Sequence, residues 1–310
     1  MHFVILGSGA VGGYFGARLA QSGQEVTFIA RNQQLAVMKK SGLQIESIKG
    51  DFHLSNVNVI AEPKAVKNVD VILIAVKSFH LSEALQSIKG LVSQQTRIIP
   101  LLNGVNAIEE IVSAGFERDN IYGGLAKIIS KVKAPGVISH TGAEPHITLG
   151  CVTEQQTNLE QQRLEQIAQC FKEAGVSIGL TKNIHIALWR KFIFVAAWGA
   201  LAAIEDKAVG ALRSDEETKE QLSNIIKEYA QIANAVNVRV KDEMVEETLK
   251  FINKLPFNSK TSMQRDIANK QVSEFAVLVT YPYLLSLKHH LNTPVLDACY
   301  QQLSAKIKLL

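Results

Sequence analysis

An apolar run from Phe3 to Leu6 breaks into Gly7-Ser8-Gly9-Ala10-Val11-Gly12 and passes directly into a helix-compatible stretch. A second apolar run, Val26 to Ala30, follows and closes on Arg31. Strand, glycine turn, helix and strand in this order form a dinucleotide-binding βαβ unit, and the motif carries weight because both flanking strands are present. Gly7 permits the tight turn, Gly9 lets a pyrophosphate approach the backbone, and Gly12 lets the helix pack close to the strand. Gly7, Ser8, Gly9, Ala10, Val11 and Gly12 are therefore candidate cofactor-binding residues. The helix N-terminus adds unpaired N–H groups and the positive end of its dipole.

Arg31 bears on which dinucleotide. An acidic residue at the end of the second strand would bond the ribose hydroxyls of NAD and repel a 2′-phosphate. A guanidinium there suits planar, two-pronged capture of a phosphate instead, and Asn32 adds a donor. The expected cofactor is NADPH.

The first half alternates strand and helix signals. Leu43–Ile48 and Phe52–Val59 read as short strands. Val71–Val76 (VILIAV) and Arg97–Leu102 (RIIPLL) are continuous apolar runs, as expected of strands buried on both faces. Helices are expected at about 82–92, 106–114 and 159–174. Tyr122–Lys131, Gly136–Thr141 and His146–Gly150 read as antiparallel strands, and Val176–Leu180 as a last strand. From about Thr181 the pattern becomes helical, with helices expected over 183–203, 214–235, 241–255, 266–290 and 294–307. Pro282 lies inside the fourth of these and should kink or split it. The expected fold is α/β: an N-terminal Rossmann-type doubly wound sheet over residues 1–181 with an all-helical C-terminal domain over 182–310. Ligands are expected above the carboxyl ends of the parallel strands.

At 310 residues and 47% hydrophobic, the chain can bury two cores. Its net charge of +4 comes from scattered Lys and Arg; no basic block marks a nucleic-acid surface, and the mild excess suits anionic ligands. Cys151, Cys170 and Cys299 are isolated, form no metal motif or disulfide framework, and read as reduced thiols of a cytoplasmic protein. The N-terminus lacks the basic segment and cleavage site of a signal peptide. The apolar stretch around 192–204 reads as too short to span a bilayer.

Placement singles out the polar residues that leave the buried strands. Lys77 follows the third parallel run and Asn103 the fourth. Lys77 suits the cofactor ribose or the substrate, and Asn103 the nicotinamide ribose or a substrate oxygen; a solvated loop lysine and a plain Asn-Gly turn remain the alternatives. Reduction of a ketone builds charge on oxygen, so a cationic acid within reach favours it. Lys191, set between Trp189 and Phe192 in an apolar helix, is the candidate general acid. Burial and positive neighbours would lower its pKa. Its neighbour Arg190 reads as solvated or salt-bridged. Ser262 and Asp266, with Glu274 expected on the same long helix, complete the polar set; Ser262 also reads as a helix cap and Glu274 as a surface charge.

Taken together and in order, these motifs resemble those of the ketopantoate reductase (2-dehydropantoate 2-reductase) family, NADPH enzymes of pantothenate synthesis. The resemblance rests on Gly7-x-Gly9-x-x-Gly12, Arg31, AVKS around Lys77, LNGV around Asn103, W-x-K at Trp189–Lys191, SMxxD from Ser262 to Asp266, and the spacing to Glu274. It covers nearly the whole chain. It implies that Lys191 protonates the ketone oxygen, Glu274 holds substrate hydroxyls, Ser262 contacts the substrate carboxylate, Asn103 orients cofactor and substrate, and Lys77 assists at the cofactor or substrate.

The chain departs from the family at Val195, Gly199 and Val209, where the resemblance implies substrate-binding asparagines. Losing such donors from a site that reads hydroxyl and carboxylate groups costs specificity. The expected activity is NADPH-dependent reduction of ketopantoate to pantoate. Two alternatives stand beside it: reduction of a more apolar 2-oxo acid or an imino acid on the same scaffold, and a non-catalytic NADP-binding sensor. The expected partner is a small 2-oxo acid, with no nucleic acid and no membrane; a homodimer is left open.

Overall fold

The computed structural model describes residues 1–142, 144–153 and 157–308. By its contacts the chain forms two compact units, one of Met1–Leu102 with Ala107–Ile184, the other of Asn103–Asn106 with the chain from His185 onward.

The first unit runs β1 (His2–Leu6), α1 (Ala10–Gln21), β2 (Glu25–Ile29), α2 (Asn32–Ser41), β3 (Leu43–Ser47), β4 (Phe52–Leu54), β5 (Asn58–Ile60), β6 (Val71–Ile74), α3 (Leu81–Ile88), β7 (Arg97–Pro100) and α4 (Ala107–Ser113). It continues with β8 (Tyr122–Lys127), β9 (Ser130–Ala134), β10 (Val137–His140), β11 (His146–Cys151), α5 (Asn158–Glu173) and β12 (Ser177–Leu180). β1, β6 and β7 are buried at every position, which is why they read as unbroken apolar runs rather than alternating ones. They lie in a wholly parallel sheet ordered β5-β2-β1-β6-β7. The strand order reverses at β1, so the chain leaving β1 and the chain leaving β6 meet the crevice at the carboxyl edge where such sheets bind ligands. Phe15 of α1 and Phe171 of α5 pack edge-on, and Phe171 meets Phe3 of β1 at 6.0 Å, tying both helices to the sheet.

Two expected runs divide. The 52–59 run breaks at Ser55-Asn56: its first half pairs with β3 and its second extends the parallel sheet beside β2. The 122–131 run breaks after Lys127. β8 pairs antiparallel with β11, while β9 pairs antiparallel with β10 in a separate sheet ordered β4-β3-β10-β9. β10 and β11 each also take a parallel neighbour, β3 and β12 respectively, so the expected antiparallel set becomes two mixed sheets. These partners are far apart in sequence, and local alternation does not specify them.

The second unit is helical among the described residues: α6 (Ile184–Glu205), α7 (Val209–Ser214), α8 (Glu216–Ala235), α9 (Asp242–Asn253), α10 (Ser262–Ala268), α11 (Tyr281–Lys288) and α12 (Pro294–Lys308). α6 is its central member. At 22 residues it is, contrary to the sequence expectation, long and apolar enough by length and composition to cross a membrane; most of it is buried inside the structure. Phe192, Ile193, Ala196, Ala197, Ala200 and Leu201 sit in the core shared with α8, α10 and α12, as a core helix requires.

The expected helix over 266–290 is interrupted. α10 ends at Ala268, Lys270 takes a left-handed φ of 55°, and helix resumes only at about Phe275. The polar run Asn269-Lys270-Gln271 ends α10, and the one apolar residue of the gap, Val272, is exposed. The resumed helix opens with a π-helical turn, Ala276–Thr280, ahead of Pro282. Proline has no N–H for the carbonyl four residues back and its ring crowds that carbonyl. The Leu278 carbonyl so orphaned accepts from the Tyr229 hydroxyl at 2.7 Å. At α12 the N-terminal amides of Val295 and Leu296 donate to the buried Glu228 carboxylate of α8 at 3.0 and 2.7 Å, a cap supplied from another helix. Burial pushes the Glu228 carboxyl up despite those two bonds.

Candidate active site

The candidate dinucleotide cradle is built by Gly7, Ser8 and Gly9 in the turn after β1 and by Gly12 in the first turn of α1. Gly7 has φ +103°, and a side chain there would come within 2.8 Å of the Ala75 backbone. A side chain at Gly12 would overlap the Gly7 carbonyl oxygen. Both positions therefore exclude any Cβ. Ser8 is pinned to β2, its N–H and Oγ both donating to the Ile29 carbonyl at 3.3 and 2.9 Å. Gln34 of α2 donates to the Ser8 carbonyl at 2.9 Å. Gly9 is the N-cap of α1; no side chain caps that helix, its first turn carries no acid, and the space in front of Gly9 is open. Uncapped donors at Ala10, Val11 and Gly12, on a rigid turn facing open space, fit a diphosphate.

Arg31 stands two residues past β2 as the N-cap of α2, and its guanidinium pairs with Glu83 of α3 at 2.8 Å. Lys77 is exposed at the end of β6, where it precedes a 3₁₀ turn, Ser78–His80.

In the helical unit two of the predicted residues meet. The Asn103 amide donates to Glu274 Oε2 at 3.0 Å across 171 positions of sequence. Gly104 has φ +99°, so the chain bends sharply through residues 103–105, where Asn103 is mounted. Glu274 is only 4% exposed, which overturns the surface-charge alternative, and it lies at the start of the resumed helix rather than on the helix of Ser262 and Asp266. That break turns its carboxylate inward.

Ser262 is not the helix cap. Thr261 is, accepting from the Gln264 amide at 3.1 Å; Ser262 occupies the first helical position. Lys191, Val195 and Gly199 follow one another at four-residue intervals along one face of α6. Beyond Gly199 lie Thr261 and Met263, 3.5 and 3.8 Å from where a Cβ would stand. The start of α10 thus packs, through Thr261 and Met263, against the Gly199 end of the face that carries Lys191. Lys191 is half-buried between the buried Trp189 and Phe192. Arg190 forms an ion pair with Glu247 of α9. Val209, the third departure, is fully buried in the helical core.

A second charged cluster lies in the first unit, unsuspected from sequence. Arg97 is buried and forms a two-pronged ion pair with Glu160, at 3.2 Å from Nε and 2.6 Å from Nη2. The Tyr122 hydroxyl donates to Glu160 at 2.6 Å. Burial alone would raise the Glu160 carboxyl, but these bonds hold it below its usual range. Burial and the same carboxylate push the Tyr122 hydroxyl up.

The first unit thus carries a glycine turn that fits a dinucleotide, and the helical unit a half-buried lysine and an inward-facing Asn–Glu pair. Residues 3–154 match the family described as Ketopantoate reductase PanE/ApbA, and residues 183–307 match its C-terminal part, Ketopantoate reductase PanE/ApbA C terminal. The chain belongs to the ketopantoate reductase family. It is 28% identical over 308 residues to an uncharacterized oxidoreductase, YkpB, of Bacillus subtilis, covering 98% of each chain. Its structure is similar to that of a 2-dehydropantoate 2-reductase from Geobacter metallireducens, with a TM-score of 0.89 at 28% identity over 98% of this chain and 99% of the other. It also shares its fold with a D-mandelate dehydrogenase solved with NADH and anilino(oxo)acetate, with a TM-score of 0.88 at 24% identity over 99% of both chains.

Proposed function

We propose that this chain reduces ketopantoate to pantoate with NADPH, in the cytoplasm. The observation that carries the reading is the hydrogen bond from Asn103 to the buried Glu274, because it joins residues of two family motifs that lie 171 positions apart in sequence. When bound, the reduced nicotinamide supplies a hydride for the carbonyl carbon. Lys191 gives its proton to the ketone oxygen as charge develops there. Glu274, oriented by Asn103, accepts from substrate hydroxyls, and Ser262 donates to the substrate carboxylate. The Gly7–Gly12 turn takes the diphosphate, Arg31 the 2′-phosphate, and Lys77 assists at the ribose or the substrate.

A second reading, reduction of a more apolar 2-oxo acid, is favoured by Val195 and Gly199, which leave the face of α6 beside Lys191 without polar side chains. The experiment that separates them follows NADPH oxidation over a panel of 2-oxo acids that includes ketopantoate. The proposal expects ketopantoate to give the highest kcat/KM. Turnover of a branched or aromatic 2-oxo acid with none of ketopantoate would replace it by the second reading.

A further inference from the structure

Arg31 does not stand alone at the end of β2. Its guanidinium meets the Glu83 carboxylate at 2.8 Å, and both side chains are more than half exposed. Arg31 caps α2 just past β2, whereas Glu83 lies in the first turn of α3, beyond β6. β2 and β6 are the two neighbours of β1. The ion pair therefore bridges the carboxyl edge of the sheet from one side of β1 to the other, past the turn that begins at Gly7. In sheets of this kind the adenosine ribose sits at the end of the second strand, where an acidic residue ordinarily takes its hydroxyls. Here that strand ends on a base, and the acid comes from α3.

We propose that Glu83 is a cofactor-specificity residue: its carboxylate competes with the 2′-phosphate of NADPH for Arg31, and with NADH it accepts from the ribose 2′-hydroxyl. The proposal rests on the reading of Arg31 as the phosphate-binding residue. Its physical basis is that one guanidinium fork cannot serve two anions in full. A phosphate carries up to two charges and three acceptor oxygens, so it wins Arg31, but only after the existing pair opens. An exposed ion pair of this kind shifts an equilibrium by up to about fivefold. Glu83 thus narrows the preference for NADPH without abolishing it. The effect should shrink with added salt, because both partners are open to solvent.

Dissociation constants for NADPH and NADH, measured by titration calorimetry on the full chain, test this in four forms: the unaltered protein, Glu83→Gln, Arg31→Ala and the double variant. Glu83→Gln is expected to tighten NADPH about two- to fivefold and to leave NADH unchanged or weaker. In the Arg31→Ala background the same change should have no effect on NADPH. Equal tightening of both cofactors, an unchanged or weaker NADPH constant, or the same tightening without Arg31 would each overturn the proposal. Failure of the underlying reading looks different: Arg31→Ala would then leave NADPH binding as it was, whatever Glu83 does.

Discussion

Glu160 in the first unit is partly withdrawn from solvent and Glu274 in the helical unit almost wholly, and the two are used in opposite ways. Glu160 is matched by cations: Arg97 grips both its oxygens, Tyr122 donates to one of them, and Arg163 Nη1 lies 3.6 Å from the other. Arg97 in turn spends a further donor on the Gln94 and Thr96 carbonyls. Glu274, more deeply buried, takes one neutral side-chain donor among the described residues, from Asn103. A carboxylate can accept about four hydrogen bonds, and a buried charge without a cationic partner is costly. A fully answered charge holds a fold together. A charge left with acceptor capacity suits a site whose remaining donors arrive with the ligand.

The largest effect expected on the functional side of this contrast is at Lys191. Lys191→Ala should lower turnover roughly 10²–10⁴-fold, the usual contribution of a positioned acid, with NADPH binding and melting temperature little changed. Turnover that survived intact would show that the proton comes from elsewhere.

The structural side is tested at Glu160. Removing one partner of a buried pair costs about 3–5 kcal/mol, because the other charge is stranded. Glu160→Ala should thus be strongly destabilised to heat or denaturant, with KM in the surviving folded fraction unaltered. The pH dependence has a definite sign. Glu160 titrates below its ordinary value of 4.5 in the folded protein, so its stabilisation is complete above that value and is lost as the pH falls through the depressed one. Acid should therefore erode the stability of the unaltered protein more steeply than that of Glu160→Ala. Glu274→Gln is the mirror test. It should raise KM about tenfold or more, on the scale of a hydrogen bond to a charged group, and should leave stability unchanged or improved. Destabilisation at Glu274 matching that at Glu160 would erase the distinction.

The sequence makes the two regions unequally legible. The backbone shape of the Gly7–Gly12 turn is legible because its constraints are local: a positive φ at Gly7 and the close approach of Gly12 to the Gly7 carbonyl lie within six residues. The apolar character of α6 was equally plain. What escaped is long-range or competitive. The split of 52–59 between two sheets depends on strand partners that local alternation does not name. The six-residue α7 is too short for periodicity to register. Glu274 was expected on one helix with Asp266, since nothing in the local pattern shows that the chain would break after Ala268. The cap at Thr261 rather than Ser262 is a choice between adjacent hydroxyls that only the helix start decides. Arg97, Tyr122 and Glu160 lie up to 63 positions apart, with no spacing signal to join them.

The smallest effect bears on the face of α6 beside Lys191. Val195 lies one turn beyond the lysine and is half-buried, and Gly199 lies two turns beyond it, against Thr261 and Met263. At 199 a Cβ would already stand in van der Waals contact with Thr261 and Met263, whereas Val195 can become Asn with little change in volume. If the site handles a hydroxylated 2-oxo acid, a donor at 195 adds one hydrogen bond to the bound substrate. One such bond is worth about 0.5–1.5 kcal/mol, or roughly two- to tenfold in kcat/KM. Val195→Asn should therefore improve ketopantoate use within that range and depress use of branched or aromatic 2-oxo acids, which leave the new amide unpaired. A variant that loses ketopantoate activity instead would mean that the apolar face itself contacts substrate, and that the specificity of this chain lies with acids lacking the hydroxyl.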